Sequence, residues 1–162
     1  MLEASRFKDK IVLIRVDFNV PIADGEVRDN TRIKRALPTI NSVLNNGGAV
    51  ILMSHLGRPQ KNLLEGGVID KSVFSLGQIV EELGRLLQRR VKFSSDCGGE
   101  ISKHMASQLQ PGEVLLLENT RFYKEENGSI ILVPNPISGP EEIERLWDLE
   151  FLEEIGKYDY WY

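Results

Sequence analysis

The sequence IVLIRVDFNV at residues 11–20 contains the first regular element of the chain. Its first four residues are continuously apolar and mostly β-branched, a pattern typical of a strand that is covered on both faces, as in a parallel sheet. Polar residues begin at Arg15, where this strand should end. A parallel strand covered on both faces needs helices on both sides of its sheet, so the segment predicts an α/β fold.

The same pattern continues along the chain. After an Asp-Gly turn at Asp24 and Gly25, apolar residues recur at helical spacing from Ile33 to Leu44. The later predicted elements are a strand at 49–53, a helix at 76–87, a strand at 91–93, a helix at 101–109 and a strand at 114–117. This alternation predicts right-handed βαβ units and a three-layer α/β/α, Rossmann-like domain with a mostly parallel sheet.

Composition narrows the class of protein. The chain has 162 residues, of which 41% are hydrophobic and 27% charged, as in ordinary globular proteins. It lacks both an apolar run of about 20 residues and the features of a signal peptide. We therefore expect a cytoplasmic protein whose partners include neither membrane nor nucleic acid. The single cysteine, Cys97, excludes an internal disulfide, and we assign it no catalytic role.

Charge divides the chain after Glu126. Residues 1–126 hold 18 Lys and Arg against 16 Asp and Glu, whereas residues 127–162 hold 2 against 8, so the net charge changes from +2 to −6. We predict one domain over residues 1–126 and a divergent C-terminal segment over 127–162, which contains a strand at 130–133 and a helix. We expect this segment to pack on the same domain and complete its sheet. The alternative is that its aromatic and acidic residues dock a partner.

Polar residues follow three of the predicted strands, at the edge where ligands bind in open α/β sheets. They are RVDFN at 15–19, SHLGR at 54–58 and ENTR at 118–121. Arginine offers a planar fork of donors for phosphate and carboxylate oxygens, so Arg58 and Arg121 predict an anion site. Arg32 should lie in the first turn of the following helix, where the helix dipole adds to its field.

Neighbouring residues extend this predicted site. His55 can donate to a phosphate oxygen, and Gly57 allows the backbone to approach a ligand closely. Asp17 and Asn19, on either side of Phe18, could together hold a hydroxyl group. The predicted ligand is small, anionic and hydroxylated. Two alternatives are that the arginines are solvated surface residues and that Asp17 and Asn19 only cap a turn.

Several long segments carry a family resemblance. They are RVDFNVP at 15–21, DNTRI at 29–33, ALPTI at 36–40, ILMSHLGRP at 51–59 and PGEVLLLENTRFYKEE at 111–126. Together and in this order they resemble the N-terminal domain of phosphoglycerate kinases, over roughly residues 5–126. A combination of this length is far more specific than any single short motif.

The resemblance implies binding of 3-phosphoglycerate or 1,3-bisphosphoglycerate for reversible phosphoryl transfer with ATP or ADP in glycolysis. It implies that Asp17 and Asn19 lie at the glycerate hydroxyl and carboxylate. It places three residues around the 3-phosphate: His55, Arg58 and Arg121. Arg32 resembles the family arginine that stabilises the transferred phosphoryl group, so it is the predicted catalytic residue. The whole predicted substrate-binding set is Asp17, Phe18, Asn19, Arg32, His55, Leu56, Gly57, Arg58 and Arg121.

The chain departs from the family pattern after Glu126. There the family continues to a strand ending in a motif like NDAFGxxHR, which supplies another phosphate-binding arginine, and this sequence has no such motif. MgATP or MgADP belongs to a separate nucleotide-binding C-terminal domain in the full family enzyme, so we expect the chain alone to bind no cofactor or metal. We expect little or no activity from it alone. The alternatives are a non-catalytic anion-binding module and a truncated structural remnant.

Overall fold

A parallel four-stranded sheet forms the centre of the protein, in a computed structural model that describes residues 7–123 and residue 126. The strands in chain order are β1 (Ile11–Arg15), β2 (Ile22–Ala23), β3 (Glu26–Val27), β4 (Ala49–Met53), β5 (Val91–Phe93) and β6 (Val114–Leu116). The central sheet has the order β1-β4-β6-β5, and β2 and β3 form a separate antiparallel hairpin. The predicted parallel sheet is therefore confirmed, with all four predicted strands side by side.

The register brings the carboxyl ends of the central strands to one edge. Ile11 lies opposite Ala49, and Val114 lies opposite both Val50 and Val91. The ladder continues one residue past β1, where the Val16 amide donates to the Met53 carbonyl at 3.0 Å. Because all neighbours run parallel, the polar segments that follow β1, β4 and β6 leave the sheet at the same edge.

Helices cover both faces of this sheet. They are α1 (Thr31–Asn45), α2 (Lys71–Phe74), α3 (Val80–Leu87) and α4 (Glu100–Ser107). At the start of α1 the Asp29 carboxylate accepts from the Thr31 amide at 2.8 Å, and the chain leaves the helix through Gly47 at φ +80°. That left-handed backbone is one that glycine adopts readily.

Alternate strand residues supply two separate cores. The first face packs α1 and α3 against the sheet through these buried residues: Val12, Ile14, Val50, Leu52, Leu116, Ile33, Ile40, Val43, Leu83 and Leu87. The second face is smaller, and its buried members are Ala49, Ile51, Leu109, Leu115 and Leu117. Met105 and Ala106 of α4 pack against that second cluster. The sheet thus has helices on both sides, which confirms the three-layer α/β/α architecture.

The boundaries differ from the sequence prediction in a few places. The helix predicted over 76–87 opens with a 3₁₀ turn at Leu76–Ile79, and only Val80–Leu87 is α-helical. The strands of the β2–β3 hairpin and helix α2 are too short to produce a periodic apolar pattern. The strand predicted at 130–133 and the helix after it lie outside the described residues. Among the residues described, every helix is too short or too polar to span a lipid bilayer.

We expect Leu52→Ala to lower the free energy of unfolding by about 2 to 5 kcal/mol, because it leaves a cavity in the first core. Leu52 is fully buried, whereas Leu64 is 52% exposed and provides the matched control Leu64→Ala. The control should change stability by no more than about 0.5 kcal/mol. Chemical denaturation of both variants measures the difference, and equal losses would contradict the assignment of Leu52 to the core.

Candidate functional site

Hydrogen bonds join the segments after β1 and β4 to α1 and to the turn after β6. Arg32 Nη1 contacts Asp17 Oδ2, and Asp17 Oδ1 accepts from the Asn19 amide at 3.1 Å. Asn19 Oδ1 in turn accepts from the Gly57 amide at 2.9 Å, and Arg121 Nη1 donates to the Gly57 carbonyl. Five residues of the predicted site thus form one continuous network, which we call the carboxyl-edge network.

The side chain of Asn119 holds the segments behind this network. Its Oδ1 accepts from the amides of Leu56 at 3.2 Å and Arg121 at 3.0 Å. Its Nδ2 donates to the carbonyls of Leu56 at 2.7 Å and Phe74 at 2.8 Å. Asn119 is fully buried, so water cannot replace these four bonds. The backbone on both sides of Leu56 and the start of the Arg121 turn therefore have fixed positions.

Glu118 is a second buried polar residue next to this hub. Its carboxylate accepts from Ser75 Oγ at 2.8 Å, from the Leu76 amide at 2.9 Å and from the Asn119 amide at 2.7 Å. Only 6% of the residue is exposed. Glu118 therefore ties the end of β6 to the 3₁₀ turn that begins at Leu76. It serves the scaffold and does not line the edge.

Two members of the predicted site direct their side chains inward. Phe18 is fully buried and Leu56 is 4% exposed, and both belong to the first core. The Phe18 amide donates to the buried Ser54 Oγ at 2.9 Å. The Leu56 amide and carbonyl likewise bond inward, to the side chain of the buried Asn119.

His55 is half-buried between charged groups of both signs. Burial lowers the pKa of its imidazole, and the positive charge of Arg121 lowers it further, while Glu126 and Asp17 act in the opposite direction. The free protein therefore holds a neutral imidazole near neutral pH. An incoming anion would oppose the effect of the Arg121 charge on this pKa.

The three predicted arginines differ in how they are held. Arg58 is exposed and makes no side-chain hydrogen bond or ion pair with any residue in 7–123 or with residue 126. Arg32 is 50% exposed and is held by Asp17, which is 55% exposed. Arg121 is half-buried and bound to the Gly57 carbonyl. Among the described residues, Arg32 and Arg121 are thus each held by another group, whereas the Arg58 side chain has no polar partner.

Gly57 has a backbone that no other residue type fits well. Its φ is +63°, and an added Cβ would lie 2.6 Å from ring carbons of Phe74. Both the left-handed backbone and the close approach of the ring require glycine here. This explains how the amide and the carbonyl of one residue can bond Asn19 and Arg121 at the same time.

A cleft of about 450 Å³ lies between β1 and α1. Its lining residues are Ile14, Arg15, Val16, Asp17, Arg32, Arg35, Ala36 and Thr39. It shares only Asp17 and Arg32 with the predicted substrate-binding set. The cleft and the carboxyl-edge network are thus adjacent features that meet at this ion pair.

Cys97 lies on the second face, where burial raises the pKa of its thiol to about 12. Its backbone amide donates to Tyr123 Oη at 3.0 Å. A thiol held in this protonated form is a poor nucleophile, and the residue contributes packing.

Three buried polar residues support the site but are absent from the set predicted from the sequence: Ser54, Glu118 and Asn119. Each follows a strand, as Asp17 and His55 do, so only its position and its residue type could have indicated a role. Neither signal distinguishes a side chain that points inward from one that lines the edge. The nine-residue substrate-binding set itself stays a prediction.

Comparison with known proteins identifies relatives of the whole described region. The family model for phosphoglycerate kinase matches residues 2–148. The chain is similar to the phosphoglycerate kinase of Wolbachia pipientis wMel, with 46% identity over 128 residues, and to that of Chlamydia trachomatis serovar L2, with 51% identity over 117 residues. These matches cover 79% and 72% of this chain but only 30% and 28% of the two relatives.

A solved structure of a phosphoglycerate kinase has a fold similar to that of this chain. The crystal structure of phosphoglycerate kinase from Pyrococcus horikoshii OT3 matches with a TM-score of 0.69 and 30% sequence identity. The match covers 95% of this chain and 34% of that one. The chain therefore spans about a third or less of the length of the relatives that it matches.

We expect Asn119→Asp to lower the free energy of unfolding by about 2 to 6 kcal/mol at neutral pH. The new oxygen would face the carbonyls of Leu56 and Phe74, and each buried carbonyl left unpaired costs about 1 to 3 kcal/mol. Asn62→Asp is the matched control, because Asn62 is exposed. Urea denaturation of the two variants gives the comparison, and a similar stability for both would disprove the role of Asn119 as a buried hub.

Proposed function

Because this chain belongs to the phosphoglycerate kinase family, we propose that its carboxyl-edge network binds 3-phosphoglycerate or 1,3-bisphosphoglycerate. The observation that carries the proposal is the continuous network from Arg32 through Asp17, Asn19 and Gly57 to Arg121. This network gathers predicted ligand-binding groups from separate parts of the chain at one edge of the sheet.

The 3-phosphate is the group that the arginines suit best. Arg58 is exposed and keeps its donors available, and its planar fork matches two phosphate oxygens. Arg121 uses Nη1 for the Gly57 carbonyl, which orients the guanidinium before a ligand arrives. A pre-oriented cation loses less entropy on binding. We therefore assign the phosphate to Arg58, Arg121 and His55.

The glycerate part requires mixed donors and acceptors. Asp17 and Asn19 make the turn bond that the capping alternative predicts, with Asp17 Oδ1 accepting from the Asn19 amide. That bond leaves the Asn19 side-chain Nδ2 as a donor for a ligand hydroxyl or carboxylate. Turn formation and ligand binding are therefore compatible at these two residues.

Arg32 is proposed to stabilise charge at the reacting end of the substrate. In the free protein it contacts Asp17, and both side chains are about half exposed. Exposed ion pairs contribute only about 0 to 1 kcal/mol, so Arg32 can exchange this partner for a substrate oxygen at little cost. Electrostatic stabilisation by positioned cations is the main contribution a protein makes to phosphoryl transfer.

The complete reaction also needs a magnesium nucleotide. We propose that a second, nucleotide-binding domain supplies it, and that this chain is the substrate-binding half. Phosphoryl transfer requires the nucleotide and the acceptor carboxylate to be held in line, so substrate binding alone gives no turnover. A second candidate function is an anion-binding module without catalysis. That candidate needs only the carboxyl-edge network, whose five members all lie within the described residues.

We expect the 162-residue chain to bind 3-phosphoglycerate weakly in isothermal titration calorimetry at low salt, and Arg58→Ala to weaken binding about tenfold to a hundredfold. The range follows from about 1.5 to 3 kcal/mol for a charge-assisted hydrogen bond and about 1.4 kcal/mol per tenfold change. Arg90→Ala is the control, because Arg90 directly precedes β5 at the opposite, amino-terminal edge of the sheet. Raising the ionic strength should weaken wild-type binding, because exposed charges are screened.

In a coupled assay with MgATP and 3-phosphoglycerate, the same chain should form no product. Measurable phosphorylation by the chain alone would contradict the proposal that a second domain supplies the magnesium nucleotide. Undetectable binding at low salt would instead favour a structural remnant. If Arg58→Ala and Arg90→Ala weaken binding equally, the anion does not bind at Arg58.

We expect binding to take up a proton at His55. The pKa of the imidazole is lowered in the free protein, and a bound phosphate dianion raises it, so the complex binds more protons than the free protein does. Affinity should therefore increase as the pH falls from about 7.5 towards 6.5, before the phosphate itself gains a proton near pH 6. Titrations across this range test the point, and His55→Gln should flatten the dependence. If the affinity of His55→Gln depends on pH as strongly as that of the wild type, His55 does not contact the phosphate.

A further inference from the structure

One side of β1 has no neighbouring strand within residues 7–123 and 126. On its other side, the Val16 amide donates to the Met53 carbonyl and the Ala49 amide donates to the Lys10 carbonyl. In a parallel pair, only every second residue bonds to a given neighbour. The backbone N–H and C=O groups that point to the free side belong to Ile11, Leu13 and Arg15.

This edge carries little protection against pairing. Natural sheets blunt exposed edges with charged side chains, prolines, bulges or very short strands. β1 has five residues, and its first four are apolar and regularly paired with β4. Charge appears only at Lys10 and Arg15, at the two ends. The middle of the strand is therefore suited to accept another strand.

Apolar surface lies on both sides of the same edge. On the first face, the cleft between β1 and α1 is lined in part by Ile14, Val16 and Ala36. On the second face, Ile11 and Leu13 are only half-buried by the described residues. A strand added here needs apolar side chains on both of its faces.

The chain returns to this edge at its last described residue. Glu126 Oε1 forms an ion pair with Arg15 Nη2 at 3.1 Å, although 111 positions separate the two residues. The Glu126 side chain is 13% exposed, so the contact is largely covered. Residue 126 thus lies beside the carboxyl end of β1.

The sequence after Glu126 contains the apolar residues that such a strand needs. Three residues, Asn127 to Ser129, precede IILV at 130–133, which is apolar at every position and rich in β-branched residues. From residue 126 to residue 130 the chain can reach about 14 Å at most, at roughly 3.5 Å per residue. A strand parallel to β1 would have to start at Ile11, about 13 Å beyond Arg15, which takes nearly the whole reach. An antiparallel strand starts where the chain already lies.

We propose that residues 130–133 add to the free edge of β1 as an antiparallel strand of the central sheet. The occupant is this chain's own segment, since it follows Glu126 directly and its apolar residues match both exposed faces. The proposal is independent of which ligand the carboxyl-edge network binds.

Residue-resolved hydrogen exchange on the 162-residue chain tests the pairing. In the wild type, the amides of Ile11 and Leu13 should exchange at least tenfold more slowly than in a variant whose pairing is broken. Because a strand donates to one neighbour only at alternate residues, two variants are measured, Ile130→Pro and Ile131→Pro. At least one should lose the protection. Ile137→Pro, outside the segment, is the matched control and should retain it.

The amides of Val12 and Ile14 report on the fold itself. They bond to β4, so they should stay protected in all four proteins and show that each variant is folded. Contacts between Hα protons of the segment and of β1 in nuclear Overhauser spectra identify the antiparallel direction.

Three results would overturn the proposal. The first is rapid exchange of Ile11 and Leu13 in the wild type, and the second is unchanged protection in both proline variants. The third is protection that increases with protein concentration, since that would identify a second copy as the occupant. A parallel pattern of backbone contacts would overturn the direction.

Discussion

The side-chain amide of Asn119 bonds to backbone groups of Leu56, Phe74 and Arg121, and the geometry of the carboxyl edge depends on these four bonds. A parallel sheet brings its strand ends to one edge but does not by itself order the loops that leave them. Buried amide groups with both donor and acceptor satisfied are costly to rearrange, because every alternative leaves a polar atom unpaired. The Asn119 side chain thus fixes the positions of the loops that carry several of the predicted site residues.

The charged side chains near this buried hub are exposed and can change partners. Arg32 and Asp17 are about half exposed, and Arg58 is exposed without a side-chain partner in the described part of the chain. Solvent screens such charges, so exchanging one partner for another changes the free energy little. The combination suits the binding of a charged small molecule, since the backbone supplies fixed geometry and the side chains supply charge that can be redirected.

The open edge of β1 connects the architecture with the family comparison. The two curated relatives are more than three times as long as the segment that they share with this chain. A strand on that edge would keep the sheet closed to other chains. The Arg15–Glu126 ion pair brings the last described residue to β1, which pairs with β4 on one side and has no neighbouring strand on the other among the described residues.

The sequence by itself determined the α/β architecture, because apolar strands and helical periodicity are local patterns that a single chain segment displays. It also located the polar strand ends, since parallel topology brings them to one edge. It could not distinguish Asp17, which lines that edge, from Glu118 and Asn119, which follow a strand in the same way but are buried. Nor could it anticipate that Phe18 and Leu56 point into the core, or that Glu126 meets Arg15. These features were decided only by the tertiary structure, because burial and long-range pairing depend on which surfaces meet when helices and strands pack, and that information is spread over the whole chain.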